Sequence, residues 1–316
     1  IKNNYEYLRI KLSLEEVTNK YGKCLPAELI FDFKKILEDP LMSSEFKATT
    51  IHSKSIYYGA KLKYYRLILD HDKENEYAVK RMRLWNEHPE NIRLYFSHFS
   101  ILSYAEVVAN VAVTQAQLKD YESALETLKG LELKADEMNI INNKATKETF
   151  LYHLWKTKLW IYNRSGDVDR STDLIKDIEK EVKNVEERLG KFWSQLYFSI
   201  AVSCFLAGDH RSALYWINEI LTQLKGDVRT DIQALSRLLF LIIHFDLNNN
   251  DLIEYQIVST YRYLLKKGGL NTFERMIIKF LKVNNYQDSR SLKKSFVDLK
   301  AQIEIAKEDD LVIRSN

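Results

Sequence analysis

Residues 192–224 read FWSQLYFSIAVSCFLAGDHRSALYWINEILTQL. In the first half of this segment, apolar side chains recur every three or four residues, which is the spacing of one helix face; they are Trp193, Leu196, Tyr197, Ile200, Ala201 and Cys204. Gly208 can take the left-handed conformation that ends a helix, and Asp209 can accept backbone N–H bonds at the start of the next one. The segment therefore predicts two helices joined by a tight turn.

Similar turn dipeptides, with a helix-ending residue followed by aspartate, recur along the chain. Three of these dipeptides lie 42 residues apart, and a fourth precedes them by 47; in chain order they are Lys119-Asp120, Gly166-Asp167, Gly208-Asp209 and Asn250-Asp251. A second set of glycines falls between the hairpins, at Gly190, Gly226 and Gly268. This alternation predicts a string of helix pairs.

The residue four positions after each of these aspartates is expected to open the packing face of the second helix. A small side chain there would let two antiparallel helices approach closely. These residues are Ala124, Ser171, Ala213 and, in the last pair, Tyr255. Ala78, 46 residues before Ala124, extends the series to a fifth pair.

Residues that break helices are scarce. The 316 residues include nine Gly and three Pro, and no proline follows Pro89. A β-sandwich or barrel would need a turn every ~8 to 12 residues. We expect an all-α chain, with helices over residues 25–38, 44–70 and 74–86 and ten more up to residue 306. Residues 1–70 are predicted to be a divergent or capping helical region, and residues 71–316 one continuous run of repeats with a C-terminal capping helix.

Two segments resemble a tetratricopeptide repeat. They are Asn110-Val111-Ala112 followed by Leu118-Lys119-Asp120-Tyr121-Glu122-Ser123-Ala124-Leu125-Glu126, and residues 192–224. The period of 42 to 47 residues is longer than the ~34 of that family, and the proline that usually closes each repeat is absent. The resemblance implies an α-α superhelix, a solenoid of about six antiparallel helix pairs.

The resemblance also implies a binding surface. In such repeats the first helix of each pair lines a concave face that binds peptides or helices. Mapped onto this sequence, the binding residues are Asn110, His153, Lys156, Trp160, Gln195 and Arg237. Asn110 coincides with the asparagine that peptide-binding members of the family use on the ligand backbone.

Motifs for catalysis, metals and phosphates are missing from the sequence. It contains no G-x-S-x-G, no phosphate loop and no dinucleotide fingerprint. Its seven histidines form no i, i+4 pair and no metal-ligand spacing with cysteine. We therefore predict no enzyme activity, no cofactor and no metal site.

Charge and hydropathy narrow the set of partners. The net charge is +3 with the signs interleaved, whereas nucleic-acid binding usually shows clustered Lys and Arg. The longest apolar run is residues 238–243, six residues where a membrane span needs ~20. Cys24 and Cys204 are expected to be free buried thiols, which favours a reducing, cytoplasmic compartment.

The first functional hypothesis is a non-enzymatic scaffold or adaptor that binds a protein or peptide through the concave face, with self-association left open. The second is the ligand-sensing C-terminal part of a larger regulator or defence effector. Its DNA-binding or catalytic domain would lie upstream of Ile1. The missing initiator Met motivates this second hypothesis.

Overall fold

The computed structural model describes residues 2–21, 27–88, 99–137, 144–182, 193–223, 229–267, 269–284 and 289–315. Within these ranges the chain forms 14 α-helices and two short 3-10 turns, with no strand, so the all-α prediction is confirmed. The helices are α1 (Lys2–Tyr21), α2 (Ala27–Leu37), α3 (Ile51–Leu67), α4 (His71–Asn86), α5 (Phe99–Gln117), α6 (Tyr121–Glu137), α7 (Lys144–Ser165), α8 (Val168–Val182), α9 (Ser194–Leu206), α10 (His210–Gln223), α11 (Thr230–Asp246), α12 (Asn250–Lys266), α13 (Thr272–Asn284) and α14 (Ser289–Ser315).

Five turns, which join α3 to α4, α5 to α6, α7 to α8, α9 to α10 and α11 to α12, share one backbone geometry. Each contains one residue with a positive φ between 56° and 77°, namely Leu69, Lys119, Gly166, Gly208 or Asn248. The N–H of the next residue donates to the carbonyl five positions earlier, over 2.9 to 3.0 Å. This is the bond of a Schellman motif, which satisfies the carbonyls at the end of a helix.

The residue that follows each left-handed position starts the second helix of the pair. In four turns this residue is an aspartate whose carboxylate accepts the backbone N–H three positions later, over 3.0 to 3.2 Å: Asp70, Asp120, Asp167 and Asp209. In the fifth turn Asn249 makes no such bond. Its amide lies 2.9 Å from the ring nitrogen Nδ1 of His244.

The burial four positions after each cap agrees with the prediction in three pairs and corrects it in two. In the first pair Asp70 caps α4, so the residue at this position is the buried Glu74, and Ala78 is buried one turn further along the helix. Ala124, Ser171 and Ala213 are buried as expected. Tyr255 is 73% exposed, and the buried residue of the last pair is Ile253. The prediction is wrong because Asn248-Asn249-Asn250-Asp251 offers several residues that can end or cap a helix, and the chain uses the first two.

The N-terminal region differs from the prediction in two ways. The sequence analysis predicted no helix at α1, although its buried residues Tyr7, Ile10 and Leu14 follow helical spacing. Residues 44–70 do not form one helix. They contain the 3-10 turn Glu45–Lys47 before α3. The α3 helix begins after Thr50, which forms a capping box with Ser53, and this pair of bonds satisfies N–H groups that a longer helix would otherwise have used.

The chain divides into two compact units, with the boundary between Leu174 and Ile175 inside α8. In the first unit, α4 packs on α5, α6 on α7, and α5 also on α7. In the second unit, α10 packs on α11, α9 on α11, and α11 on α13. Helices therefore pack on the next one or two along the chain, which is consistent with a helical repeat.

Small and aliphatic side chains fill the cores. One core of the first unit is built around Ala105, Ala112, Ala124, Leu128 and Ile161. The second unit has a core that includes Ala234, Leu241, Ile253, Leu264 and Leu281. The predicted interpair glycines Gly190, Gly226 and Gly268, together with Cys24, lie outside the described residues.

Candidate functional site

The six predicted binding residues fall into both units. Asn110 lies on α5, and His153, Lys156 and Trp160 lie at helical spacing on α7. All four belong to the first unit, where α5 packs on α7. Gln195 on α9 and Arg237 on α11 belong to the second unit. The first unit therefore brings four of the six onto two neighbouring helices.

Asn110 is part of a hydrogen-bonded network between α3, α4 and α5. Its side-chain carbonyl accepts a hydrogen bond from the Arg66 guanidinium over 3.0 Å, and its amide donates to the carbonyl of Glu106 over 3.0 Å. Arg66 also pairs with the fully buried carboxylate of Glu74 at 2.6 Å, and the His71 ring lies 3.1 Å from the same carboxylate. Both ends of the Asn110 amide thus have partners within the chain.

His153 and Lys156 lie beside the buried ring of Tyr152. The centroid of the His153 ring is 5.3 Å from that of Tyr152, and the Lys156 ammonium is 5.1 Å from the same centroid. Burial lowers the pKa of His153 to about 4, and the nearby Lys156 charge acts in the same direction. At neutral pH the imidazole is therefore uncharged, with one nitrogen that donates and one that accepts.

Trp160 is partly buried and packs against the core of the first unit. The Arg164 guanidinium lies 5.4 Å from the centroid of its ring, within cation–π distance. Because part of the ring contributes to the core, a change of Trp160 to a small residue would affect stability as well as binding.

In the second unit, Arg237 stacks on an aromatic ring. Its guanidinium carbon lies 4.2 Å from the centroid of Tyr263, whose hydroxyl donates to Gln233 over 3.0 Å. The Nε of Arg237 is buried and makes no hydrogen bond within the described part of the chain. Gln195 lies on α9, which packs on α11, and its backbone carbonyl accepts a bond from Ser199 over 3.1 Å.

The sequence did not single out the arginine that connects α3, α4 and α5 in the first unit. The Nε of Arg81 donates to the Ser55 hydroxyl over 3.2 Å, and its Nη1 lies 3.8 Å from a carboxylate oxygen of Glu106. A methyl group on Gly59 would lie 3.4 Å from the guanidinium carbon of Arg81. The missing side chain at Gly59 therefore lets the guanidinium lie close to α3.

Lys63 and His52 lie on the same side of α3 as Gly59, at a spacing of four and seven residues from it. Burial lowers the pKa of both side chains, and the charges of Lys11 and Arg81 lower these values further. Both residues nevertheless remain exposed to solvent. Each side chain therefore reaches solvent while neighbouring protein atoms displace part of its hydration.

These groups act on one another across four helices. The negative charge of Glu106 opposes the lowering of the pKa values of Lys63, Arg81 and His153. We call the surface that they form the polar face, and it consists of His52, Lys63, Arg81, Glu106, Asn110, His153 and Lys156. Four of its seven members, His52, Lys63, Arg81 and Glu106, were not among the predicted binding residues. Arg81 belongs to the second helix of a pair, and His52 and Lys63 belong to a pair that the resemblance did not cover.

A separate open cleft of about 930 Å³ lies beside the α7–α8 turn and the start of α6. Four of its six charged residues pair with one another: Arg170 with Asp167, and Lys129 with Glu126. Asp167 also caps α8 through the N–H of Arg170. These contacts stabilise the turn, which gives the cleft walls a structural role.

Three further properties concern the described residues alone. Cys204 is a free thiol, as predicted, and burial raises its pKa to about 12, so it is protonated at neutral pH. Within those residues, no three His, Cys, Asp or Glu side chains converge as ligands for a metal ion. No helix among them combines the length and the apolar character that a membrane crossing requires.

No protein-family model, curated protein or solved structure matches the chain. The chain is therefore characterised by its own architecture, an all-α fold whose helices pack sequentially in pairs, and no family is assigned.

Proposed function

We propose that this chain is a non-enzymatic scaffold that binds a protein or peptide along the polar face of its first unit. One observation carries the proposal: α3, α4, α5 and α7 contribute charged and hydrogen-bonding side chains whose charges act on one another across the four helices. Such a surface offers a row of polar contacts that a partner segment can follow across successive helix pairs.

The proposal includes a superhelical arrangement of the helix pairs, with the first helix of each pair on the concave side. In its support, first helices pack on one another, α5 on α7 in the first unit and α9 on α11 in the second. In solenoids each repeat contacts its neighbours, and a small rotation per repeat produces an extended concave surface.

The chemistry of the polar face favours recognition. Arg81 is held by Ser55, and Asn110 by Arg66, so these groups are positioned before a partner arrives. Groups fixed in this way lose little conformational entropy on binding. His153, neutral at pH 7, and the half-buried Trp160 add a hydrogen-bonding group and an aromatic surface beside them.

A charge reversal at Lys156 tests the proposal. The purified protein and its Lys156→Glu variant would be coupled to beads, and the proteins that each recovers from a lysate would be quantified by mass spectrometry. We expect the variant to lose specific partners that the wild type recovers. Lys156 lies on the polar face at its surface, so the variant is expected to fold, and its thermal unfolding checks this.

The matched control is Lys129→Glu, because Lys129 is 66% exposed on α6 and lies outside the polar face. It makes the same charge change and should recover the same partners as the wild type. Equal recovery of every partner by all three proteins would remove the polar face as the binding surface. The predicted cytoplasmic location, the absence of nucleic-acid binding and the role as a sensor in a larger regulator stay predictions.

A further inference from the structure

Among the described residues Lys63 forms no close ion pair, and the charges of Glu106 and Glu15 act on it only from a longer distance. Within the described part of the chain, no Asp or Glu oxygen lies within 4.0 Å of its ammonium, whereas Lys11 on α1 has Glu15 at 3.8 Å. Neighbouring protein atoms displace water around Lys63 and lower its pKa. A cation that has lost part of its hydration and has no ion-pair partner is attracted to an incoming negative charge.

Arg81, whose charge also acts on Lys63, is held in place by a hydrogen bond from its Nε. Its two terminal nitrogens can still donate to a bound partner. Ser55 accepts the bond from Nε, and the absence of a side chain at Gly59 leaves room for the guanidinium, whose carbon would lie 3.4 Å from a methyl group there. The Arg81 side chain is 17% exposed, so part of it reaches solvent. A guanidinium presents donors in a planar fork that matches the two oxygens of a carboxylate.

Glu106 is the only carboxylate of the described residues that forms an ion pair with Arg81, and this pair is loose. The distance from Nη1 to the carboxylate oxygen is 3.8 Å, longer than a good hydrogen bond, and the Glu106 side chain is 52% exposed. The same carboxylate acts on Lys63 from α5. One exposed carboxylate thus acts on both cations, and it forms no close contact with either of them.

We propose that the polar face binds an acidic segment of a partner protein, whose Asp or Glu carboxylate takes the place of Glu106 between Arg81 and Lys63. This inference rests on the proposed scaffold function and names the chemistry of its partner. Glu106 is then an intramolecular competitor that lowers the affinity for acidic segments. The competition gives the test a definite sign, because the removal of a carboxylate should strengthen the binding of an acidic ligand.

The probes are three short fluorescein-labelled peptides, built from alternating Glu and Ala, Lys and Ala, or Gln and Ala. Their binding to the wild type, Glu106→Gln and Lys63→Gln is measured by fluorescence anisotropy at low salt. We expect the Glu peptide to bind the wild type, to bind Glu106→Gln about threefold more tightly and to bind Lys63→Gln about fivefold more weakly. Arg81→Lys, which keeps the charge but loses the planar fork, should weaken binding by a similar factor.

The matched controls are Glu126→Gln and Lys129→Gln, an exposed ion pair of the same two residue types on α6. They should leave the affinity for the Glu peptide unchanged. Weaker binding of the Glu peptide by Glu106→Gln, preference for the Lys peptide, or no binding of the Glu peptide would each overturn the inference. If Lys156→Glu still loses partners from the lysate, only the acidic specificity fails. If both experiments fail, the scaffold function fails with it.

Discussion

At the scale of single residues, the position four residues after each helix cap controls how closely paired helices approach. Ala124 and Ala213 are fully buried there, and the backbone N–H of each donates the first intrahelical bond to the capping aspartate's carbonyl. Three of the five turns place Ala or Ser at this position, and the other two place Glu74 and Ile253. The small side chains leave no spare volume for a larger one.

Ala213→Leu should destabilise the protein. Additional methyl groups in a packed interface force neighbouring side chains and backbone to shift, at a cost of about 1 to 3 kcal/mol. The measurement is the free energy of unfolding in urea. Tyr255→Leu is the matched control, because Tyr255 was the residue predicted for this role and is 73% exposed. Its effect should stay within about 0.5 kcal/mol, and equal effects of the two changes would contradict the observed register.

His153 should make stability dependent on pH. Its pKa falls from 6.5 to about 4 because of burial, so between these values the folded state binds fewer protons than the unfolded state. Stability is then complete above pH 6.5 and decreases as the pH falls toward 4. Between pH 7 and pH 5 the loss from this group should be about 1 to 2 kcal/mol. Urea unfolding of His153→Gln at the two pH values should show a smaller loss than the wild type, and an identical loss would refute the assignment.

The sequence predicted the buried small residues correctly where a single dipeptide marked the turn, as Gly208-Asp209 does. Ala124, Ser171 and Ala213 followed from the aspartate four residues earlier. Tyr255 did not, because a run of three asparagines and an aspartate allows several registers, and only the buried contact of Ile253 selects one of them. The choice depends on tertiary packing, which one segment of sequence does not contain.

At the scale of elements, the five turns show that left-handed backbone matters more than glycine itself. Only Gly166 and Gly208 are glycines, whereas Leu69, Lys119 and Asn248 take the same conformation with a side chain. For a residue with Cβ this conformation costs roughly 1 kcal/mol or more. A search for glycine therefore found two of the five turns directly, and Lys119 was found through Asp120.

Lys119→Gly should stabilise the protein by about 1 kcal/mol, because it removes the Cβ strain at φ 67° and the lysine side chain is exposed. The converse change, Gly208→Lys, places a side chain at φ 77° in open space and should destabilise by a similar amount. Thermal unfolding of both variants measures the pair. A loss of stability in Lys119→Gly would contradict this expectation. It would mean that contacts of the lysine side chain stabilise the fold by more than the backbone strain destabilises it.

The N-terminal elements were harder to predict for a related reason. The apolar stripe of α1 was present in the sequence, but no turn dipeptide marked its end. Residues 44–47 were predicted to lie in a helix and residues 39–43 outside one, whereas Asp39 and Ser44 cap two short 3-10 turns with their side chains. Local hydrogen bonds of this kind compete with helix formation, and helical periodicity alone does not reveal them.

At the scale of the whole molecule, sequential packing affects how the chain unfolds. Because helices contact mainly the next one or two elements, cooperativity is carried by nearest neighbours. We expect urea unfolding to extend over a wider range than a single two-state transition of 316 residues. Far-UV circular dichroism and tryptophan fluorescence measure it, and coincident steep transitions would contradict this expectation.

The candidate site was predicted in part. The spacing on α7 predicted that His153 and Lys156 share one helix face. In the structure Asn110 lies on α5, the helix that packs on α7. Helical spacing could not predict Arg81 and Lys63 as neighbours, because they lie on different helices. The contacts of Arg81 with Ser55 and Glu106 depend on how α3, α4 and α5 pack together. The sequence contains a weaker signal for Lys63: His52, Gly59 and Lys63 are spaced by seven and four residues, so they lie on one side of α3.

Gly59 lies against Arg81, and a mutation at this glycine would change the position of a charge without changing its sign. Mutations of a binding surface usually change both properties together. Gly59→Ala adds one methyl group 3.4 Å from the guanidinium carbon and alters no charge, so it would narrow the freedom of a cation while the electrostatic composition stays the same. Alanine also favours the helical backbone over glycine by roughly 0.5 to 1 kcal/mol. A sequence that varies only at residue 59 could thus adjust the geometry of recognition while the fold becomes more stable.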